Sequence, residues 1–297
     1  MAMGTFLDAG GHGPRRLRQL LEQGRPLVLP GAYDALSARL VEAAGFEGVY
    51  MTGFGVAAST LGRPDVGLLG LAEMAEEAGR VVAAVTVPVV ADADTGYGNA
   101  INVIRTVHEY ERAGVAGLHI EDQVLPKRCG HLDGKQVVPL EEMTAKIRAA
   151  VDARRDPDLV LIARTDARAV EGLDRAVERA AAYAEAGADV LFVEAIRDEK
   201  EAAAVARELT GRRLLYNWAE GGRSPLLSYE RLAELGYAIV LAPVTALLSA
   251  TGAIRRVLEQ LRRADSPAVY LRSLPTQASF LEAVGYHEIE ELEARYR

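Results

Sequence analysis

The chain has one cysteine in 297 residues, Cys129, and that scarcity excludes an internal disulfide and a cysteine-rich zinc site. A lone thiol is either inert packing or a reactive group, and its neighbours decide which. Lysine and arginine form no tract. The 34 basic residues against 42 acidic ones give a formal charge of −8, which argues against a nucleic-acid surface or an anionic membrane as partner. Small anions therefore need a locally positive pocket. Long hydrophobic runs are missing too: the longest, Val81 to Ala91, is too short to span a bilayer and is broken by Pro88. The opening MAMGTFLDAGG lacks the basic and apolar regions of a signal peptide, so a soluble cytoplasmic protein is the expectation. An apolar fraction of 49% supports a substantial core.

What is present is a repeat of short apolar β-rich runs alternating with Ala/Glu/Arg-rich segments of helical period, the pattern of βα units around a parallel sheet. The strand candidates are Leu27 to Pro30, Gly48 to Met51, Val87 to Ala91, Gly117 to Ile120, Leu159 to Ala163, Val190 to Val193, Leu214 to Tyr216 and Ala238 to Ala242. Eight strands predict an α/β fold of the (β/α)8 TIM-barrel type. Leu71 to Ala84, Ala100 to Ala113, Pro139 to Ala153, Leu173 to Ala186 and Glu199 to Leu209 read as amphipathic helices, with Gly114, Gly187 and Gly236 just past helix ends. The barrel is assigned to residues 1–264. Residues 265–297 form a helical extension, Leu274 to Tyr286 and Glu288 to Tyr296, with no further strand to pack on.

Barrel active sites gather at the C-terminal ends of the strands, and here those ends are polar. Asp92 and Asp94 follow the third strand and Glu121 the fourth, while Asp65 lies in the long connection after the second. Four carboxylates without a histidine pair suit a hard, oxygen-loving cation, Mg²⁺ or its substitute Mn²⁺, before zinc. After Glu121 comes a long connection, residues 122–138, which reads as a lid hinged at Gly130 and Gly134. It places Lys127, Arg128 and His131 around Cys129, cations that lower a thiol pKa and suit it to proton transfer. Arg164, ending the fifth strand, offers a fork for a carboxylate or an ion pair to Glu194 or Asp166.

The stretches PGAYDALSARL, GVYMTGFGVAAS, LGRPDVGL, VVADADTGYGN, GLHIEDQVLPKRCGH, LIARTDA, LFVEAI and LAPVTAL carry a resemblance, over nearly the whole chain, to the isocitrate lyase and phosphoenolpyruvate mutase superfamily. The resemblance implies a barrel whose last helix swaps between subunits, usually in a homotetramer. It implies Asp92 as direct Mg²⁺ ligand, with Asp65, Asp94 and Glu121 holding the ion's waters. Cys129 looks like the catalytic acid/base in a lid that includes Lys127 and His131, and Tyr50 matches a tyrosine near the reacting hydroxyl. Thr52, Gly53 and Phe54 match a carboxylate-binding turn. Arg164, Glu194 and Asn217 match other substrate-contacting positions, and Phe192, Leu241 and Pro243 match an apolar pocket for a methyl group. Phe54 stands where methylisocitrate lyases usually have glycine, and Glu220 to Pro225 resembles the dimethylmalate lyase and carboxyphosphonoenolpyruvate mutase branch. Both departures favour a substituted malate.

The implied reaction is a retro-aldol cleavage of a small 2-hydroxy di- or tricarboxylate. The 2-hydroxyl loses its proton to Tyr50 or, as second choice, a carboxylate of the metal cluster; the C2–C3 bond breaks, and Cys129 protonates the carbanion, leaving a 2-oxo acid and a carboxylic acid. Oxaloacetate decarboxylation or hydrolysis and phosphonate P–C mutation are the rival enzyme readings. An idle barrel acting as a scaffold is the rival of another class.

Overall fold

The computed structural model describes residues 13–130, 132–264 and 266–297. Its strands are β1 (Leu27–Ala32), β2 (Val49–Met51), β3 (Val89–Asp92), β4 (Gly117–Glu121), β5 (Val160–Thr165), β6 (Val190–Val193), β7 (Arg213–Asn217) and β8 (Tyr237–Ala242). They close in sequence order into a parallel barrel, with β1 pairing both β2 and β8. Before the barrel comes α1 (Gly13–Leu21). The outer helices are α2 (Ala35–Ala43), α3 (Gly53–Leu61), α4 (Leu71–Ala84), α5 (Ala100–Ala113), α6 (Leu140–Ala153), α7 (Ala167–Val170), α8 (Leu173–Glu185), α9 (Glu199–Glu208), α10 (Tyr229–Glu234) and α11 (Thr245–Arg263). The chain ends in α12 (Ala268–Leu271), α13 (Gln277–Ala283) and α14 (Tyr286–Arg295). Among the described residues no helix is long and apolar enough to cross a membrane.

The alternation of a strand decides what faces the barrel axis. Leu29, Tyr50, Val90, Ile162, Phe192, Leu215 and Leu241 form one buried cluster inside the barrel; their neighbours Met51, Ala91, Leu161, Leu191, Leu214 and Val240 belong to the other, under the helices. Leu17 and Leu20 of α1 join the inner cluster. The sequence reading gave α1 no place; its two buried leucines, each worth roughly 1.5–3 kcal/mol, account for its docking.

Two residues further along the inward-facing rows stand Thr52, Asp92, Arg164, Glu194, Asn217 and Pro243, and the same row of β4 carries His119 and Glu121. The mouth is thus the polar top layer of the barrel interior. This corrects the strand bounds read from hydrophobicity: β3, β4, β5 and β7 run on through Asp92, Glu121, Thr165 and Asn217, because ladder pairs such as Asp92 with His119 and Glu121 with Arg164 continue past the last apolar residue. The helix bounds stand closer to expectation, and α5 ends on Gly114 at φ 84° in a left-handed cap. In the extension the expected helix from Leu274 to Tyr286 is shorter, since Thr276 caps α13 and Gly285, at φ 76°, separates it from α14.

Candidate active site

Asp92 ends β3 with its carboxylate beside the start of α3, and a Cβ on Gly53 would lie 2.5 Å from Asp92 Oδ2. Only glycine leaves that space. Thr52 caps α3, accepting from the Gly55 N–H at 3.4 Å, and the other N–H groups of the helix's first turn have no intrahelical partner. Asp94 turns back at φ 47° and donates its N–H to Asp92 Oδ1 at 2.9 Å. A non-glycine residue in this conformation is strained, and such strain gathers at functional sites.

Asp65, Asp92, Asp94 and Glu121 are all buried. Burial pushes the Asp94 carboxyl up to about 7, with Asp92 and Asp65 adding to the rise and Lys127 opposing it. Glu121 is raised well above the carboxylate range, again chiefly by burial, against the pull of Arg164. Asp92 stays below its ordinary value because His119, Lys127 and Arg164 outweigh burial. Burial holds His119 near 4, so it is neutral at pH 7 and the two cations carry that effect there.

No three described His, Cys, Asp or Glu side chains form a ready metal cage. A Mg²⁺ ion needs none, since it keeps most of its waters and takes one or two carboxylates. The residues fit such an ion. Glu121 Oε1 and Asp94 Oδ1 are buried without a hydrogen-bond partner, although Lys127 Nζ forms an ion pair with the latter at 2.7 Å. A cation beside Asp92 would return the raised carboxyls to their ionised form.

Lys127 and Gly130, in the connection between β4 and α6, lie across the mouth. The sequence reading aimed Lys127 at the thiol; its buried ammonium is instead held by Asp65, at 2.6 and 2.7 Å, and by Asp94. Those carboxylates with Asp92 and Glu121 outweigh burial and raise its pKa well above normal. Cys129 is half-buried, and Gly130 packs so tightly that a Cβ there would lie 2.4 Å from Arg164 Nη2 and 2.7 Å from Glu194 Cγ. His131 lies outside the described residues.

Of the two sequence alternatives for Arg164, the structure shows the ion pairs. Its guanidinium donates to both oxygens of Asp166 at 3.0 and 3.1 Å and lies 3.1 Å from Glu121 and 3.6 Å from Glu194. Asn217 Nδ2 donates to Glu194 at 3.0 Å. Phe192 lies under the Arg164 guanidinium, and Leu241 is buried in the barrel interior below the mouth. Pro243 is buried beside Gly31. Phe54 is half-buried in the first turn of α3.

Tyr50, expected as a base, shares a 2.8 Å hydrogen bond with His119 Nε2. Burial, then Asp92, raises its pKa well above 10, so at neutral pH it is an uncharged phenol bonded to His119. Sequence reasoning gave no role to His119, which also lies 3.5 Å from Asp92 and edge-on to Phe192. Its place two residues before Glu121, on the same face of β4, was the available signal. Asp122 and Lys135 were also given no role, although Asp166 was named as a possible partner of Arg164; the Asp122 contacts to Thr165, Asp166 and Tyr183 come from segments more than 40 residues away.

A closed parallel barrel, with buried carboxylates at the C-terminal ends of its strands and the one cysteine in the connection after β4, has the architecture of a (β/α)8 enzyme. A sequence profile of the phosphoenolpyruvate phosphomutase family matches residues 17–262. The chain belongs to the phosphoenolpyruvate mutase/isocitrate lyase superfamily and is an enzyme of its carbon–carbon lyase kind. It is 47% identical to the 2,3-dimethylmalate lyase of Eubacterium barkeri, covering 95% of this chain and 97% of that one. It is 45% identical to the 2-methylisocitrate lyase of Aeropyrum pernix, over 94% and 89%. The carboxyvinyl-carboxyphosphonate phosphorylmutase of Arabidopsis thaliana is also 45% identical, over 95% and 84%. Among solved structures, an oxaloacetate acetylhydrolase bound to 3,3-difluorooxalacetate superposes with a TM-score of 0.92 at 40% identity, over 97% and 98%. A phosphonopyruvate hydrolase complexed with oxalate and Mg²⁺ gives 0.87 at 34%, over 96% and 99%.

Proposed function

We propose that this chain is a Mg²⁺-dependent cytoplasmic lyase that cleaves the C2–C3 bond of a substituted malate, releasing a 2-oxo acid and a simple carboxylic acid. The observation that carries the reading is the mouth itself, where Lys127 and Gly130 of the Cys129 segment sit on buried carboxylates and Glu121 keeps one buried oxygen without a hydrogen-bond partner. The Mg²⁺ and oxalate of the related hydrolase, and the dimethylmalate lyase at 47% identity, support it.

Asp92 would hold the ion directly, with Asp94, Asp65 and Glu121 around it. When bound, Mg²⁺ supplies charge stabilisation to the substrate's 2-oxygen and neighbouring carboxylate. The N–H groups of Gly53 and Phe54 bind a carboxylate at the start of α3, with Thr52 beside them. Arg164, Glu194 and Asn217 orient the rest of the substrate, and Phe192, Leu241 and Pro243 supply the apolar wall for its methyl group. Glu121, with one oxygen unpartnered, takes the 2-hydroxyl proton in place of Tyr50. Cleavage leaves the C2–C3 electron pair on C3 beside a carboxylate, and Cys129 delivers the proton there. Lys127 and His131 belong to the lid that excludes water.

The assembly belongs to the same reading: a homotetramer in which α11 and residues 265–297 pack on a second copy by helix exchange. No residue of α11 is buried, and a cleft of about 1270 Å³ lies between it and the barrel wall, lined by Val28, Leu36, Leu40, Ala250 and Ile254 among others. Within one chain, α13 touches α2 through Arg39 and the Ala283 carbonyl at 3.0 Å, yet Phe280 stays half exposed.

The deciding experiment assays purified protein with Mg²⁺ for pyruvate and oxalate release from 2,3-dimethylmalate, 2-methylisocitrate and oxaloacetate, with an EDTA arm. Cleavage of dimethylmalate in preference to methylisocitrate, abolished by EDTA, is expected. Turnover of oxaloacetate alone, or full activity in excess EDTA, would overturn the reading.

A further inference from the structure

The lid is tied down at two places. One is Lys127 on Asp65 and Asp94, within the carboxylate cluster. The other involves groups the cleavage chemistry does not use. Near the far end of the lid, the Lys135 side chain is 2% exposed; its ammonium donates to the Gly130 carbonyl and lies 3.6 Å from Asp166 Oδ1. Gly130 is the residue seated on Arg164 and Glu194, and it follows Cys129 directly. Asp166 is itself fixed from behind. Its N–H donates to Asp122 Oδ1 at 2.8 Å, and the other Asp122 oxygen accepts from Thr165 at 2.7 Å and Tyr183 at 2.8 Å. Arg164 and then Lys135 overcome burial and keep Asp166 ionised below its ordinary pKa.

We propose that Lys135 and Asp166 are positioning residues that clamp the Gly130 peptide, and with it Cys129, over the mouth. Asp166 is the shared partner: it grips Arg164 in the site with two hydrogen bonds and faces Lys135 of the lid. The bond to the Gly130 carbonyl lies within the lid, and the 3.6 Å ion pair to Asp166 ties that unit to the barrel, so the buried ammonium keeps its charged partner only while the lid is down. The catalytic consequence rests on Cys129 being the proton donor; the clamp does not, and the two are separable.

Cys129 is the only cysteine, so its alkylation by iodoacetamide in the Mg²⁺-loaded enzyme reads lid position without reference to turnover. Lys135→Met keeps the length and removes the charge. The alkylation rate should rise about 10- to 100-fold, the effect of one charge-assisted hydrogen bond on an opening equilibrium. The value of kcat should fall with KM changed far less, and Lys135→Arg should restore both. A thermal midpoint close to wild type separates clamping from general stability, and Lys135→Gln repeats the test if the methionine variant folds poorly. Alkylation at the wild-type rate in both variants would overturn the clamp. Faster alkylation with unchanged turnover would leave the clamp standing and overturn the proton-donor role of Cys129.

Discussion

At the scale of single residues, the mouth works by taking charge out of water and then balancing it. Asp94 and Glu121 are too buried to ionise comfortably on their own, while Lys127 and Arg164 are held charged by the carboxylates they face. Cys129 has a different place, half-buried on the lid over this cluster. Cys129→Ser keeps size and hydrogen bonding but moves the acid from a thiol to an alcohol. If the thiol protonates the carbanion, kcat for cleavage should fall by about 10² to 10⁴, the usual contribution of a positioned general acid, with Mg²⁺ affinity unchanged. Steady-state kinetics beside calorimetric Mg²⁺ titration decides it. Near wild-type turnover in the serine variant would return the lid cysteine to a packing role.

At the scale of elements, the decisive features are close approaches that only glycine permits. Gly53 lets α3 start against Asp92, and Gly130 lets the lid settle on Arg164 and Glu194. Gly130→Ala places a methyl group within 2.4 Å of Arg164 Nη2 and 2.7 Å of Glu194 Cγ. The lid is the part able to give way, so the variant should keep its thermal midpoint within a few degrees while kcat drops by at least about tenfold, a loss typical of a catalytic group slightly misplaced. Limited proteolysis of residues 123–132 should quicken in parallel. Unchanged kcat and unchanged cleavage would show that the lid does not close on this pair during turnover.

At the scale of the whole molecule, the barrel closes within one chain, while the C-terminal helices carry apolar side chains on the surface. Leu248, Ile254 and Leu258 of α11 are about half exposed, as is Leu40 across the cleft. The proposed contact between copies would cover this apolar surface. Leu40→Glu places a charge in the cleft without touching the barrel core, so the predicted assembly should dissociate to a smaller species in light scattering, with the circular dichroism of a folded barrel. An unchanged mass would reject the cleft as a contact between copies.

The sequence by itself determined the strand count, the order of βα units and the polar strand ends, because periodicity, cap glycines and the placement of Asp92, Glu121 and Arg164 are local properties of the chain. Its motifs also determined the superfamily. Tertiary structure alone decided which partner each charge takes. Lys127 reaches Asp65, 62 positions away in sequence, and Tyr50 reaches His119 across 69, pairings set by barrel closure that local spacing does not encode. The continuation of strands into the mouth was likewise illegible, since ladder hydrogen bonds pass through Asp92 and Glu121 regardless of side-chain polarity. So was the clamp at Asp166, where a buried carboxylate is stable only because Arg164, Lys135 and the Asp122 contact converge on it in the folded chain.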